Sequence, residues 1–410
     1  MRLFSIPAAA ILLASGACSS ATDRPEQSDQ DGASLVLDVQ TICDAVTESY
    51  AYYEARAEYW PQSCETARLA AENLGEGDSA LGVLETLIDD LYDPHVSMNV
   101  NNQASPRLLP SGADLWIDEV DGHFVVSAVR PQSGAANAGI QIGAELLSFN
   151  GLTPDALAAT RIHTASTEAS HDRKLWALNA ALAGRRDQAR QIEVRQDGEV
   201  VLLDLDTPEP PSVSEPISVD RLEGEIGYIR FNNRLGDGVT VTAFNTALET
   251  LRSTEGLILD LRNTPGGGNT NVAEPILGRF ISKSTTYQKT VRANGTEIDR
   301  TIAPTGDWTY EQPVIVLAGR WTGSMGEGMT IGFDGMQRGT VMGSKMGRLA
   351  GGTEPVDLPF TGVSLWLPTY DLRHLDGTPR HLWVPEYSLP ADNGNDTDLA
   401  LDAALERLQQ

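Results

Sequence analysis

Between residues 35 and 92 the apolar positions recur at helical spacing. Leu37, Ile42, Val46 and Tyr50 share one face, and Leu81, Leu84, Leu87, Ile88 and Leu91 form a second stripe. The pattern predicts a small helical domain over residues 34–106, its last helix running into Asp93, Pro94 and His95. The period then changes. Residues 115–117 and 124–129 alternate as strands around Asp121-Gly122, residues 173–183 read as a helix, and Asp197-Gly198 marks a hairpin turn. This predicts a β-rich domain over residues 107–207. A proline-rich stretch, PEPPSVSEP, opens a linker at 208–219. From 220 to 410 strands and helices alternate: strands at 226–231, 257–261, 314–317 and 341–342, and helices around 242–251, 272–280 and 325–333. That order predicts an α/β layered core, closed by an amphipathic helix at 396–408.

Two strand-to-turn segments carry the candidate chemistry. The first, GLILDLRNTPGGG at 256–268, is an apolar run suited to a strand buried on both faces, ending where backbone N–H groups can approach a ligand closely. The second, PVIVLAGRWTGSMGE at 313–327, delivers Ser324 to a strand-to-helix turn, where a hydroxyl is exposed and a helix start supplies free N–H groups. A nucleophile on one loop and an oxyanion hole on the other are the minimum equipment for acyl transfer. The bland alternative is that both turns only reverse the chain. A phosphate site is disfavoured, because no Lys-Ser/Thr follows the glycines and Pro265 removes a donor.

The formal charge of −27 argues against nucleic acid as a partner. The chain starts with Met-Arg, an apolar stretch over 3–14 and then Ser-Gly-Ala-Cys18, as a signal peptide does (residues 1–18). Cys18 resembles a lipoprotein acceptor, with Ser15 where leucine is usual, which implies export to the cell envelope or periplasm and a lipid anchor. Residues 19–33 are polar and read as a flexible tether. The remaining cysteines, Cys43 and Cys64, make an even pair in an exported chain, either a disulfide or two buried thiols. No close spacing of His, Cys and carboxylates suggests a metal, and no cofactor is expected.

Residues 131–151, with a small-residue helix, an Ala-Gly-Ile turn, a Gly-Ala-Glu turn, a strand and Asn150-Gly151, resemble the centre of a PDZ domain. The whole arrangement resembles the C-terminal-processing (tail-specific) serine peptidases, the family of tricorn and the interphotoreceptor retinoid-binding protein. The motifs are GYIRF at 227–231, LDLRNTPGG at 259–267, TGSMGE at 322–327 and Asp93-Pro94-His95. The resemblance implies a crotonase-like α/β core, an N-terminal helical domain, a PDZ-like β-rich domain and serine peptidase chemistry with Ser324 as nucleophile.

One branch of that family takes its base from a lysine about two dozen residues after the serine. Here Arg348 falls at that place, and a guanidinium cannot be deprotonated. Lys345 lies three residues early and stays as an alternative. The tricorn-like branch uses a histidine after the helical domain, which His95 matches, with a pH–rate limb expected near an ordinary histidine pKa. His123, His163 and His171 read as surface residues. The acid is unassigned, because Arg380 and His381 stand where it would be sought and Glu386 reads as structural; Ser97 and Glu327 are candidate orienting groups. The oxyanion would be held by N–H groups of Gly266 or Gly267 and of Met325. In the PDZ-like domain, the loop of Leu109, Pro110, Ser111, Gly112, Ala113 and Asp114 is expected to hold a peptide carboxylate. The function implied is hydrolysis of peptides or proteins, recognised by their C-terminal ends; the alternative is a non-catalytic binder of peptides or lipophiles on the same fold.

Overall fold

The computed structural model describes residues 25–75, 77–163, 170–205, 213–389 and 398–410. The expected signal peptide, Cys18 and residues 208–212 of the expected linker lie outside the described residues, and the linker expected to run to 219 ends earlier, because a strand spans Ile217–Leu222. Helix α1 is described over Pro25–Ser49, so its described part overlaps the stretch expected as a tether. With α2 (Trp60–Glu72) and α3 (Ala80–Asp89) it forms the helical unit, around Leu35, Ile42, Val46, Trp60, Leu84 and Leu91. A disulfide joins Cys43 of α1 to Cys64 of α2. The short strand β1 (Ser97–Met98) then leaves this unit.

The middle unit is a five-stranded antiparallel sheet, β2 (Leu115–Val120), β3 (His123–Val129), β4 (Glu145–Phe149), β5 (Arg190–Gln196) and β6 (Glu199–Leu205), paired in that order. Helices α4 (Gly134–Asn137), α5 (Pro154–Ala159) and α6 (His171–Ala183) accompany it, and leucines 115, 146, 178 and 182 with Ile192 and Val194 fill its core.

The last unit is a six-stranded sheet. Strand β7 (Ile217–Leu222) pairs antiparallel with β8 (Ile226–Phe231), helix α7 (Val239–Thr250) follows, and β9 (Gly256–Asp260) lies parallel to β8. After α8 (Thr270–Leu277) the hairpin β10 (Thr285–Arg292) and β11 (Glu297–Ile302) leaves the sheet, and β12 (Val314–Ala318) re-enters beside β9. Helix α9 (Met325–Gly335) and β13 (Thr340–Gly343) complete the parallel centre. Every residue of β9 and β12 is buried, as a strand covered on both faces requires. Strands β14 (Gly352–Asp357) and β15 (Ser364–Arg373) form a second sheet with β1, β10 and β11, β16 (Tyr387–Ser388) joins β13, and α10 (Leu399–Leu408) ends the chain.

Strand β15 ties the units together. Its residues Leu365 and Leu367 lie in the core of the helical unit, and it pairs with β1 at Trp366 and Leu365 and with β10 from Arg373 to Tyr370. Asp38 of α1 accepts the N–H groups of Phe360 and Thr361 in the β14–β15 turn at 2.7 and 2.8 Å. The segment immediately after His95 is thereby fixed to the same strand as the segment leading out of the core.

Candidate active site

Ser324 sits at the start of α9 with φ +48° and ψ −108°, a conformation that costs a side-chain-bearing residue energy and persists only where surrounding contacts enforce it. The enforcement is visible. The glycine-rich turn and the serine turn are bound together by Thr264 N–H to the Trp321 carbonyl at 3.0 Å and Gly323 N–H to the Thr264 carbonyl at 3.2 Å. Glycine is required where they touch: a Cβ on Gly267, itself at φ +65°, would stand 2.5 Å from Ser324 Cβ. Glu327, fully buried, accepts the N–H of Ser324 at 2.8 Å, that of Arg348 at 2.9 Å and that of Leu349 at 3.2 Å. Burial pushes its carboxyl up to about 7 against those hydrogen bonds and the nearby Arg380 charge. Glu327 thus fixes both the turn of Ser324 and the segment from 348 to 349.

His95 arrives from the other side of the cleft. At the end of the helical unit, buried Asp93 accepts the His95 N–H at 2.9 Å and the Tyr50 hydroxyl at 2.9 Å, which shapes the turn. The ring's Nε2 lies 3.0 Å from Ser324 Oγ, and its Nδ1 lies 2.7 Å from the Ala350 carbonyl oxygen. A carbonyl can only accept, so Nδ1 carries the proton and Nε2 presents its lone pair to the serine hydroxyl. That is the tautomer a general base needs. Burial, and then the Arg380 cation, pull the imidazole down to about 4. The ring therefore stays neutral well below the ordinary histidine range, lower than the sequence reading expected.

The partner of Nδ1 is main chain, with no carboxylate at hydrogen-bond distance among the described residues. Arg380, 2% exposed, donates through Nη2 to the Leu349 carbonyl at 3.0 Å and to the Gly351 carbonyl at 2.7 Å. It grips the residues on either side of Ala350, whose own carbonyl holds the His95 ring. Glu386 is exposed just before Tyr387 and does not line the cavity that holds Ser324 and His95. A backbone carbonyl leaves no signature in sequence, so Ala350 was not readable; Arg380 was readable only as a residue out of place.

Ser324, His95, Met325 and Gly268 line one cavity of 740 Å³, walled by the β10–β11 hairpin, by Gly352 to Glu354 and by Trp366 and Tyr370 of β15. The glycine-turn donors differ from expectation. The Gly266 N–H already donates to Asn233 Oδ1 at 2.7 Å and the Gly267 N–H to the Thr264 carbonyl at 3.1 Å. Among the described residues the N–H groups of Gly268 and Met325 carry no hydrogen bond, and both residues face the cavity.

The other sequence candidates lie elsewhere. Lys345 is 54% exposed and its Nζ stands 3.9 Å from Asp118 Oδ1 on the middle unit. Ser97 pairs with Trp366 in β1 and lines a different cavity. His123, His163 and His171 are exposed beside Glu145, Asp89 and Glu119. The loop from Leu109 to Asp114 is packed between units rather than open. Trp321 donates its indole N–H to the Ala113 carbonyl at 2.8 Å, the Gly112 and Ala113 N–H groups bond to Leu108 and Pro110 carbonyls, and Asp114 is paired with Arg190. The free edge of β2 is also covered: the Asn179 side chain accepts the Ile117 N–H at 2.8 Å and donates to its carbonyl at 3.0 Å. Among the described residues there is no group of three potential metal ligands, and no helix is long and apolar enough to cross a membrane.

Residues 225–381 match the model of Peptidase family S41. The likeness is to peptidases, and among them to the C-terminal-processing kind that the chain's motifs resemble. It is similar to the carboxy-terminal processing protease CtpB of Bacillus subtilis (strain 168), with 26% identity over 233 residues, 55% of this chain and 44% of that protein. The chain thus spans less than half the length of this curated relative. Among solved structures, mature CPAF matches at a TM-score of 0.60 and 15% identity, over 92% of this chain and 96% of that one. The photosystem II D1 C-terminal processing protease matches at 0.56 and 16%, over 92% and 97%. At these identities the likeness is one of fold. The matched family segment carries Ser324 but not His95, which the helical unit contributes.

Proposed function

We propose that this protein hydrolyses peptide bonds by acyl transfer through Ser324. The observation that carries the reading is the 3.0 Å contact of Ser324 Oγ with a His95 nitrogen whose opposite nitrogen is held 2.7 Å from a carbonyl. His95 takes the hydroxyl proton as Oγ attacks the substrate carbonyl. The oxyanion of the tetrahedral intermediate is held by the N–H groups of Met325 and Gly268, each donor worth about 3 kcal/mol. His95 returns the proton to the leaving amine, and water, deprotonated in turn by His95, releases the acyl group. Ala350 replaces a carboxylate as the ring's support, and Arg380 and Glu327 hold the segment that presents it. A cell-envelope location is part of the same proposal, supported by the N-terminal signal-like sequence and by a Cys43–Cys64 disulfide of the kind exported proteins retain. The five-stranded middle unit is read as a PDZ-like module, its peptide edge covered in this state by Asn179.

A second reading, a non-catalytic binding protein on the same fold, is favoured by one observation: a main-chain carbonyl, and no carboxylate, faces Nδ1 of His95. The test is labelling with a fluorophosphonate, followed by hydrolysis of a quenched-fluorescent peptide library. The peptidase reading expects an adduct on Ser324 and turnover, both lost in Ser324→Ala. Labelling equal in wild type and variant would overturn it.

A further inference from the structure

We infer that the α10 side of the core sheet carries a second binding site, for a monoanionic carboxylate on a short apolar stem, with Arg230 as the anion's anchor. The inference is independent of the peptidase reading above. The two faces of the core sheet are covered differently. Val314 and Val316 of β12 pack in the core that contains Met329 of α9, while Ile315 and Leu317 pack with Ala400 and Ala404 of α10. A cavity of 260 Å³ opens beside the start of α10, at the carboxyl ends of β8, β9, β12 and β13, where Asn232, Asn263, Gly319 and Ser344 line it. Parallel α/β sheets receive their ligands at that end. The cavity shares no lining residue with the one that holds Ser324 and His95.

Its charged lining is Arg130, Arg230, Arg262, Arg320, Asp260 and Asp398. Arg262 grips both carboxylates, its Nη2 lying 2.7 Å from Asp260 Oδ2 and 2.7 Å from Asp398 Oδ2. Arg320 pairs with Asp118 of the middle unit. Arg130 donates to the Ser111 carbonyl at 2.9 Å and to Asn263 Oδ1 at 3.3 Å. Arg230 differs. In a chain of formal charge −27, its guanidinium makes no hydrogen bond and no ion pair among the described residues. Its Nε is buried, but the residue as a whole is only partly so, and both Nη atoms keep accessible surface on the cavity. Further donors stand beside it. Ser218 is opposite Arg230 across the β7–β8 pair, so their side chains share a face. Ser218 Oγ accepts from Asn232 Nδ2 at 2.9 Å and keeps its own hydrogen to donate. Asn263 accepts through Oδ1 from Arg130, which leaves its Nδ2 to donate.

Donors that lack acceptors around a half-buried cation define an anion. One unanswered cation calls for one negative charge. A phosphate dianion would bring a second charge up to Asp260 and Asp398 on the same wall. A carboxylate brings a single charge and takes the guanidinium fork with both oxygens. Pro131, Trp321 and Ala400 add apolar wall, and the cavity has room for more than the carboxylate group, which gives the ligand its stem. Two sources supply this chemistry: a free short-chain acid and the C-terminus of a peptide.

The experiment is isothermal titration of the full-length protein carrying Ser324→Ala, so that no probe is cleaved and the readout is binding alone. The probes are butyrate, trialanine as free acid, trialanine amide and inorganic phosphate, at a pH where phosphate is a dianion and with ionic strength balanced by sodium chloride. Saturable binding of butyrate or of free-acid trialanine is expected, with a Kd of about 1 mM or tighter. Phosphate and the amide should bind more weakly. Tighter binding of butyrate assigns the site to a free acid, and tighter binding of trialanine to a chain terminus. Adding Arg230→Gln should weaken binding at least about tenfold. Arg230→Lys keeps the charge but not the fork and should bind several-fold more weakly than arginine, which serves if Arg230→Gln does not fold. Arg68→Gln removes an exposed charge from α2 and should change nothing. Absence of saturable carboxylate binding, affinity unchanged in both Arg230 variants, or phosphate or the amide bound more tightly than either acid would each overturn the site.

Discussion

His95→Ala deletes the nitrogen that sits 3.0 Å from the Ser324 hydroxyl. A positioned general base contributes roughly 10²–10⁴-fold, which is about 3–5 kcal/mol of barrier. The loss should fall on kcat, because the ring contacts the nucleophile rather than the walls of the cleft. Lys345→Ala is the control, since it removes an ammonium that is 54% exposed and directed at Asp118. Initial rates on a quenched-fluorescent peptide, taken from about pH 4 to 9, test base and protonation state together. Burial and Arg380 hold the imidazole near 4, and only the neutral ring accepts a proton. The rising limb of kcat/KM should therefore lie well below the ordinary histidine value, and Arg380→Met, which removes a neighbouring cation, should move it upward. Stability follows the same group. Its folded pKa is depressed from 6.5 to about 4, so its contribution is present above 6.5 and lost as pH falls through about 4, amounting to about 3 kcal/mol. Asp93 and Glu327, raised by burial to about 6 and about 7, act in the opposite sense: their contribution is present at low pH and lost as pH rises through those values. An inactive Lys345→Ala beside an active His95→Ala would refute the assignment, and a limb near 6.5 unmoved by Arg380→Met would refute the electrostatic argument.

Gly267→Ala should abolish turnover and lower Tm, because a Cβ there meets Ser324 Cβ at 2.5 Å on a backbone at φ +65°; a variant with wild-type kcat would contradict the close approach. Reducing the Cys43–Cys64 bridge, which closes a loop of 21 residues, should cost about 3 kcal/mol in chemical denaturation, and an unchanged midpoint would mean that the helical unit does not limit stability. The middle unit should bind free-acid and C-terminally amidated peptides equally weakly, because Asn179 occupies the β2 edge and the 109–114 loop is packed against the core. Asn179→Ala should strengthen binding; a strong free-acid preference in the wild-type chain would show that the edge opens readily.

The change of period along the chain marked helical, β-rich and alternating strand–helix stretches, because each bury-one-face pattern is written locally in residue spacing. Ser324 and the glycine-rich turn were legible for a related reason. A fully apolar strand followed by small residues can do little else than cross a buried sheet and turn sharply. The β10–β11 hairpin and β14–β15 were not legible: their exposed residues outnumber the buried ones in β11 and β14, and the alternation in β10 is broken by its bulge. Those strands form the wall of the cleft. The 109–114 loop has turn-like residues in sequence, and only packing against Trp321 turned it into an interface. The decisive case is the support of the base. His95 and Ala350 are 255 residues apart, and the partner is a main-chain oxygen that any residue could supply. Side-chain chemistry is written in the sequence, but which carbonyl faces a ring is set by how β1 and β14 are laid against β15, and that is a property of the tertiary structure alone.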